Sequence, residues 1–117
     1  MKLNDFISKL SSQPETVSFT ETMAVIDQSY QFTPTAFSNG GVENGADQNN
    51  GSCKIFAFGQ LNKLTQEQTL ACFGDYYRND VLNHPDADDH QNIRCFMKSG
   101  WTGVQFQGPA LSLLNNG

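Results

Sequence analysis

Gln48-Asn49-Asn50-Gly51-Ser52-Cys53-Lys54-Ile55-Phe56-Ala57-Phe58 is the stretch on which the reading of this chain turns. A polar run stops at Ser52, and the most apolar segment of the protein follows it. A helix that starts at a polar surface and enters a core has this pattern. Its first-turn amides need polar partners, while the rest of its length does not. Asn50 or Ser52 is placed to cap those amides, and Gly51 lets the backbone turn and another group approach closely. The helix is expected from about Ser52 to Leu61. It is apolar nearly all round, so it is expected to be buried.

Downstream, Leu64-Thr65-Gln66-Glu67-Gln68 restarts a helix, with Thr65 as cap and Gln68 reaching back. Leu70, Phe73 and Tyr77 share one face, Val81 extends it, and Pro85 closes the region. Asp88-Asp89-His90-Gln91 opens the last clear helix, with acidic residues at its positive end. Ile93, Phe96 and Met97 form its core face, and Arg94 and Lys98 lie toward its negative end. Gly100 is a C-terminal stop, after which Trp101 folds back onto Phe96. Val104 and Phe106 alternate with Gln105 and Gln107 as a half-buried strand. Leu111, Leu113 and Leu114 are available for packing, and Asn115-Asn116-Gly117 is expected to fray.

Upstream, Leu3, Phe6, Ile7 and Leu10 follow helical spacing, with Asn4 as cap and an end before Gln13-Pro14. Ser18 with Glu21 fits a capping box, Thr20 being the alternative cap. Met23, Ile26 and Tyr30 make the buried face of the helix that follows. Tyr30 to Phe37 reads as extended, and Pro34 confines it to an edge or to one paired side. Its partner is the strand around Val104. Asn39-Gly40-Gly41 marks a turn, and Val42 to Asn50 reads as a loop. About five helices with a small antiparallel sheet make a helix-dominated α+β fold.

At 117 residues the chain is one domain, residues 1–117, large enough to bury one core. Nine Phe, three Tyr and one Trp supply its largest pieces. The net charge is −5, and Lys and Arg nowhere cluster, which argues against a nucleic-acid partner. There is no apolar run of membrane-spanning length, and Met1 to Leu10 lacks the apolar core of a secretory signal. Cys53, Cys72 and Cys95 each fall in a predicted helix, which reads as reduced thiols in a cytosolic setting.

Several segments together resemble a known family. They are Thr22-Met23-Ala24-Val25-Ile26, Phe32-Thr33-Pro34-Thr35-Ala36-Phe37, Gln48 to Phe56, Cys72-Phe73-Gly74-Asp75-Tyr76-Tyr77-Arg78 and Asp89-His90-Gln91-Asn92-Ile93-Arg94, with Gly100-Trp101 and Gly103. On these residues the chain resembles the HopJ type III effector family over nearly its whole length up to Phe106. The resemblance implies a bacterial protein delivered into a host cell by type III secretion. It carries no activity, cofactor or catalytic residue onto this chain. Such delivery usually calls for a disordered N-terminal segment. Leu3 to Leu10 instead has a helical stripe, which fits the bacterial cytoplasm as the alternative location.

Three candidate sites remain, each with a plainer alternative. Cys53, at the first turn of a helix, is placed for a lowered thiol pKa beside oxyanion-binding amides. With His90 as base and Asp89 or Asn92 orienting the imidazole, it would support acyl transfer or hydrolysis. The alternative is a small buried hydrophobe. His84, Asp89 and His90 could ligate a divalent metal for a hydrolase, although their spacing matches no metal motif and turn chemistry accounts for the acids. Asn49, Asn50, Gly51 and Ser52 could bind a small anion through backbone amides, with Lys54 or Arg94 as counter-charge, the alternative being simple capping. Tyr76-Tyr77-Arg78 offers an aromatic surface of which one Tyr is needed in the core. The reading that joins these features is a binding module, for a small anion or a protein partner, in which the mid-protein helix tip and the Asp88–His90 turn face each other across a crevice. No cofactor is implied.

Overall fold

The computed structural model describes residues 2–114. Asn115-Asn116-Gly117, where fraying is expected, lies outside the described residues. The fold is α+β and helix-dominated, with antiparallel strands.

Helix α1 (Leu3–Ser12) buries Phe6 and Leu10. Lys2 occupies the N-cap position and no side chain caps the helix, so Asn4 is an interior residue and not the cap. Helix α2 (Phe19–Ser29) opens with the expected box, Ser18 accepting from the Glu21 amide while Glu21 accepts from the Ser18 amide. Lys9 on α1 donates to the same Glu21 carboxylate at 2.9 Å, tying the two helices together.

The extended stretch after α2 forms two short strands, β1 (Tyr30–Phe32) and β2 (Phe37–Asn39), and not one. β2 turns through Gly40 and Gly41, both at positive φ, into β3 (Val42–Asn44), so the expected loop begins as a strand. Late in the chain come β4 (Val104–Phe106) and β5 (Leu111–Leu113). β4 pairs with β2, and β5 pairs with β1, all antiparallel. The register is continuous across both pairs: Phe32 faces Leu111 and Phe37 faces Phe106. Pro34 therefore stands opposite Pro109. The hydrogen-bonding phase changes there, from Ser29 and Thr33 in one pair of strands to Ala36 and Gly40 in the other. The strands therefore form a two-stranded and a three-stranded sheet, with Pro34 and Pro109, which have no amide to donate, in the break.

Helix α3 (Asn50–Leu61) runs through the middle of the core. Phe56 and Phe58 are fully buried and serve different sides. The Phe56 ring lies 4.9 Å from Phe96, 5.6 Å from Phe73 and 5.9 Å from Phe37, whereas Phe58 meets Phe6 at 5.9 Å and Tyr30 at 6.0 Å. Gly59 lets Trp101 lie against α3, since a Cβ there would sit 2.7 Å from the indole ring. Helix α4 (Gln66–Ala71) starts at the expected Thr65–Gln68 box. It stops short of the predicted continuous face, because Gly74 turns left-handed at φ +62°. A Cβ on Gly74 would meet the Phe19 backbone nitrogen at 2.6 Å, so this break is where the start of α2 packs. A π-helical segment, Tyr76–Val81, follows.

Helix α5 (Gln91–Ser99) buries Ile93 and Phe96, but Met97 is on the solvent side at 37 % exposure. Gly100 ends it, and Trp101 returns onto Phe96 with ring centres 5.0 Å apart.

Candidate functional site

Helices α3 and α5 begin in the same unusual way. Asn49 precedes α3 with φ 53° and ψ 50°, and His90 precedes α5 with φ 50° and ψ 48°. Both are left-handed, and neither side chain caps its helix. The expected capping of α3 by Asn50 or Ser52 is corrected accordingly. Asn50 lies inside the helix and donates to Asp47 at 2.9 Å, and Asn49 donates its Nδ2 to the Asn44 Oδ1 at 2.6 Å. These side chains bond to residues just upstream in the chain, and neither caps the first-turn amides.

What holds the two starts in place is a cluster of carboxamides. Asn44, at the end of β3, donates to the Asn92 Oδ1 at 3.1 Å, and Asn92 donates back to the Asn44 Oδ1 at 2.9 Å. Asn39, on β2, donates to the Asn92 backbone carbonyl at 2.8 Å and to its Oδ1 at 3.2 Å. Asn39, Asn44 and Asn92 are all buried. The β2–β3 hairpin is thus bonded to the first turn of α5 through Asn92 and to the start of α3 through Asn49.

Between the two helix starts lies an open crevice of about 340 Å³. Asn49, Gly51 and Ser52 line it from α3, and His90, Gln91, Asn92 and Ile93 line it from α5. Phe19, Phe73, Tyr76 and Val42 make the apolar part of its wall. Each helix end carries about half a positive charge, so together they amount to roughly one. His90 also lines the crevice, and two carboxylates stand beside its ring. Its Nε2 lies 3.2 Å from the Asp80 carboxylate and 3.8 Å from that of Asp89. Its ring tilts against Tyr76 at 5.3 Å, and Tyr76 meets Phe19 edge-on at 5.1 Å.

The residues singled out from sequence divide into those that reach this crevice and those that do not. Asn49, Gly51, Ser52 and His90 reach it; Asn50 does not line it. Lys54 pairs with Asp27 at 2.9 Å and lies over the Phe32 ring, so it is not a counter-charge here. Arg94 turns to the other side of α5, where it donates to Asp89 at 2.7 Å and to the carbonyls of His84 and Pro85. That hydrogen bond from Arg94 holds the Asp89 carboxyl below its ordinary pKa. The nearer carboxylate to His90 belongs to Asp80, on the π-helical segment, which sequence neighbours could not reveal.

The thiol expectation is corrected in one respect. Cys53 is 1 % exposed and does not line the crevice, its Sγ lying 3.5 Å from the Thr35 carbonyl. Burial pushes its thiol above the ordinary value, the opposite direction from the lowering expected at a helix start. For the metal candidate formed by His84, Asp89 and His90, the geometry gives no support. Among the described residues no three His, Cys, Asp or Glu side chains converge as a metal site requires. Nor is any helix among the described residues long and apolar enough to cross a membrane. Tyr77 packs against the core and Tyr76 is 44 % exposed, which settles which Tyr faces outward.

A crystal structure titled as that of an unknown function protein, VPA0580, matches this fold with a TM-score of 0.96 at 58 % identity, covering 97 % of this chain and 95 % of that one. Among curated proteins none matches. The HopJ type III effector protein family matches residues 3–111, a span that takes in both helix starts, the carboxamide cluster and the crevice. On that match the chain belongs to the HopJ type III effector protein family.

Proposed function

We propose that the protein is a small binding module whose crevice takes an anionic ligand. The observation that carries this is the opening of two helix N-termini, both without side-chain caps, onto one cavity. Free first-turn amides and the positive helix ends favour a carboxylate or phosphate oxygen there. The protein's net charge of −5 works against an anion at long range, but beyond about 8–10 Å salt screens that field, and the amides act in contact. His90 lines the same crevice with its Nε2 held 3.2 Å from the Asp80 carboxylate, which offsets any charge on the ring, so the attraction rests on the helix ends.

Titration with inorganic phosphate at low ionic strength tests the reading directly. Amide resonances of Gly51, Ser52, Gln91, Asn92 and Ile93 are expected to move together and saturate. Phosphate that moves none of these resonances, or moves only others, removes the proposal.

Delivery into a host cell is carried by the family's description and is part of the same proposal. A tagged chain expressed in bacteria with and without a working type III apparatus is expected in the medium only in the first case. The fold adds a requirement, because α1 is packed in the core with Phe6 and Leu10 at 0 % and 1 % exposure. An exported chain must release this helix.

A further inference from the structure

The same crevice holds more than an inorganic anion can use. Its volume of about 340 Å³ falls at the lower end of the roughly 300–1,000 Å³ range of pockets for small organic ligands. A bare phosphate on the helix amides would leave the aromatic wall in water. Two features place that wall beside the amides. Gly51 has no side chain, and a Cβ there would lie 2.9 Å from the Phe19 ring, so the α3 backbone is laid directly against Phe19. Phe19 in turn supports Tyr76, which leans on His90, giving a row of three rings with centres 5.1 and 5.3 Å apart. Tyr76, at 44 % exposure, is a large amphipathic surface left open in the folded protein.

Resting on the anion-binding reading above, we infer the class of ligand: an anionic head on an aromatic body, an aryl phosphate or aryl carboxylate. The head meets the amides of Gly51 and Ser52 and those of the α5 first turn. The ring packs on Tyr76 and Phe19. The match is one of chemistry on both sides, since amides and rings adjoin at Gly51 with no spacer between them.

Phenyl phosphate, inorganic phosphate and phenol are the probes, each titrated into the full chain and followed by amide and aromatic NMR resonances. Phenyl phosphate is expected to bind about tenfold more tightly than inorganic phosphate, the size of one good aromatic contact. It should shift the Phe19 and Tyr76 ring signals as well as the Gly51 and Ser52 amides, and phenol should bind far more weakly. Tyr76→Ala should bring the ratio of the two phosphate affinities toward one, and Tyr76→Phe should restore it. Equal affinities in the wild-type protein would overturn the aromatic inference and leave the anion reading standing. Phenol binding as well as phenyl phosphate would overturn the anionic head. If neither phosphate binds, the anion reading itself fails and the inference falls with it.

Discussion

Replacing Asn44 by Ala tests the cluster on which the geometry of the crevice depends. Asn44 is 3 % exposed and its carboxamide takes part in three short bonds: to Asn92 at 3.1 Å, from Asn92 at 2.9 Å and from Asn49 at 2.6 Å. A buried hydrogen bond contributes about 1 kcal/mol net, and a buried group left unpaired costs about 1–3 kcal/mol. The Asn49 bond is the least costly to lose, because Asn49 is exposed and water can replace Asn44. Asn92 is the costly partner. At 7 % exposure it keeps its contact with Asn39 but is left with its own Nδ2 group unpaired. The expected loss is about 2–4 kcal/mol, a large share of the roughly 5–15 kcal/mol that holds a domain folded.

Urea unfolding reads this loss as a lower midpoint with an unchanged slope. The sharper measurement is a double-mutant cycle with Asn92→Ala, where a coupling of about 1–2 kcal/mol is expected because the two side chains exchange both bonds. Strict additivity, or an Asn44→Ala cost below about 0.5 kcal/mol, would refute the argument that these carboxamides join the hairpin to α5.

The remaining predictions concern single groups. Cys95 is partly exposed and should alkylate readily in the native state, whereas buried Cys53 and Cys72 should react only as the protein opens; native Cys53 labelling as fast as Cys95 would revive the thiol-enzyme reading. Burial, opposed in part by the Thr22 hydroxyl, pushes the Cys72 thiol to about 12. Its folded pKa exceeds its unfolded one, so its contribution is complete below the ordinary thiol value near 8.5 and is lost as pH rises toward about 12. Cys72→Val should flatten that part of the stability profile, and an unchanged slope would assign it to other groups. Asp89 has the opposite sign: its carboxyl should titrate below the ordinary range by NMR, and Arg94→Gln should return it, since that hydrogen bond is the main cause. Gly74→Ala should destabilise far more than Gly41→Ala, because both need positive φ but only Gly74 would also press a Cβ on the Phe19 backbone at 2.6 Å; equal losses in chemical denaturation would rule out the close-packing argument.

Local chemistry was the part of this fold that could be read in advance. The Ser18–Glu21 and Thr65–Gln68 boxes are complete within four residues, so both helix starts stand where residue types put them. The pairing expected between the Val104 strand and the stretch up to Phe37 was legible only in its sense and at one end. It is antiparallel, but of that stretch only Phe37 meets β4, Ser38 and Asn39 supply the rest, and Tyr30–Phe32 pairs with β5. The split of the ladder was not legible, because the change of hydrogen-bonding phase between Thr33 and Ala36 depends on partners distant in the chain. The starts of α3 and α5 were misplaced for a related reason. Their defining feature is the left-handed backbone at Asn49 and His90, which Asn and His adopt more often than other side chains but which their presence alone does not specify. Asp80 was missed as the partner of His90 because a π-helical segment and a turn carry it there from ten residues upstream. Cys53 shows the competition of effects most clearly: its place in the helix argues for a reactive thiolate, and the packing of α3 into the core removes the water that the thiolate would need.

The carboxamides also bear on why this region is polar at all. Asn39, Asn44 and Asn92 occupy buried positions where apolar side chains of similar size would avoid any desolvation cost. The Asn39 Oδ1 even lacks a partner among the described residues, a penalty that an aliphatic side chain would not incur. Apolar packing, however, is non-directional and would leave α3 and α5 free to settle by shape alone. Paired carboxamides fix distance and orientation together, and here they fix two helix starts against one hairpin. On this argument stability is given up to hold the amides of both first turns in a set geometry around the crevice. An apolar pair at positions 44 and 92 should then yield a protein that folds, resists urea at least as well, and binds phosphate less tightly. A variant both more stable and equally good at binding would show that the helix starts need no such frame.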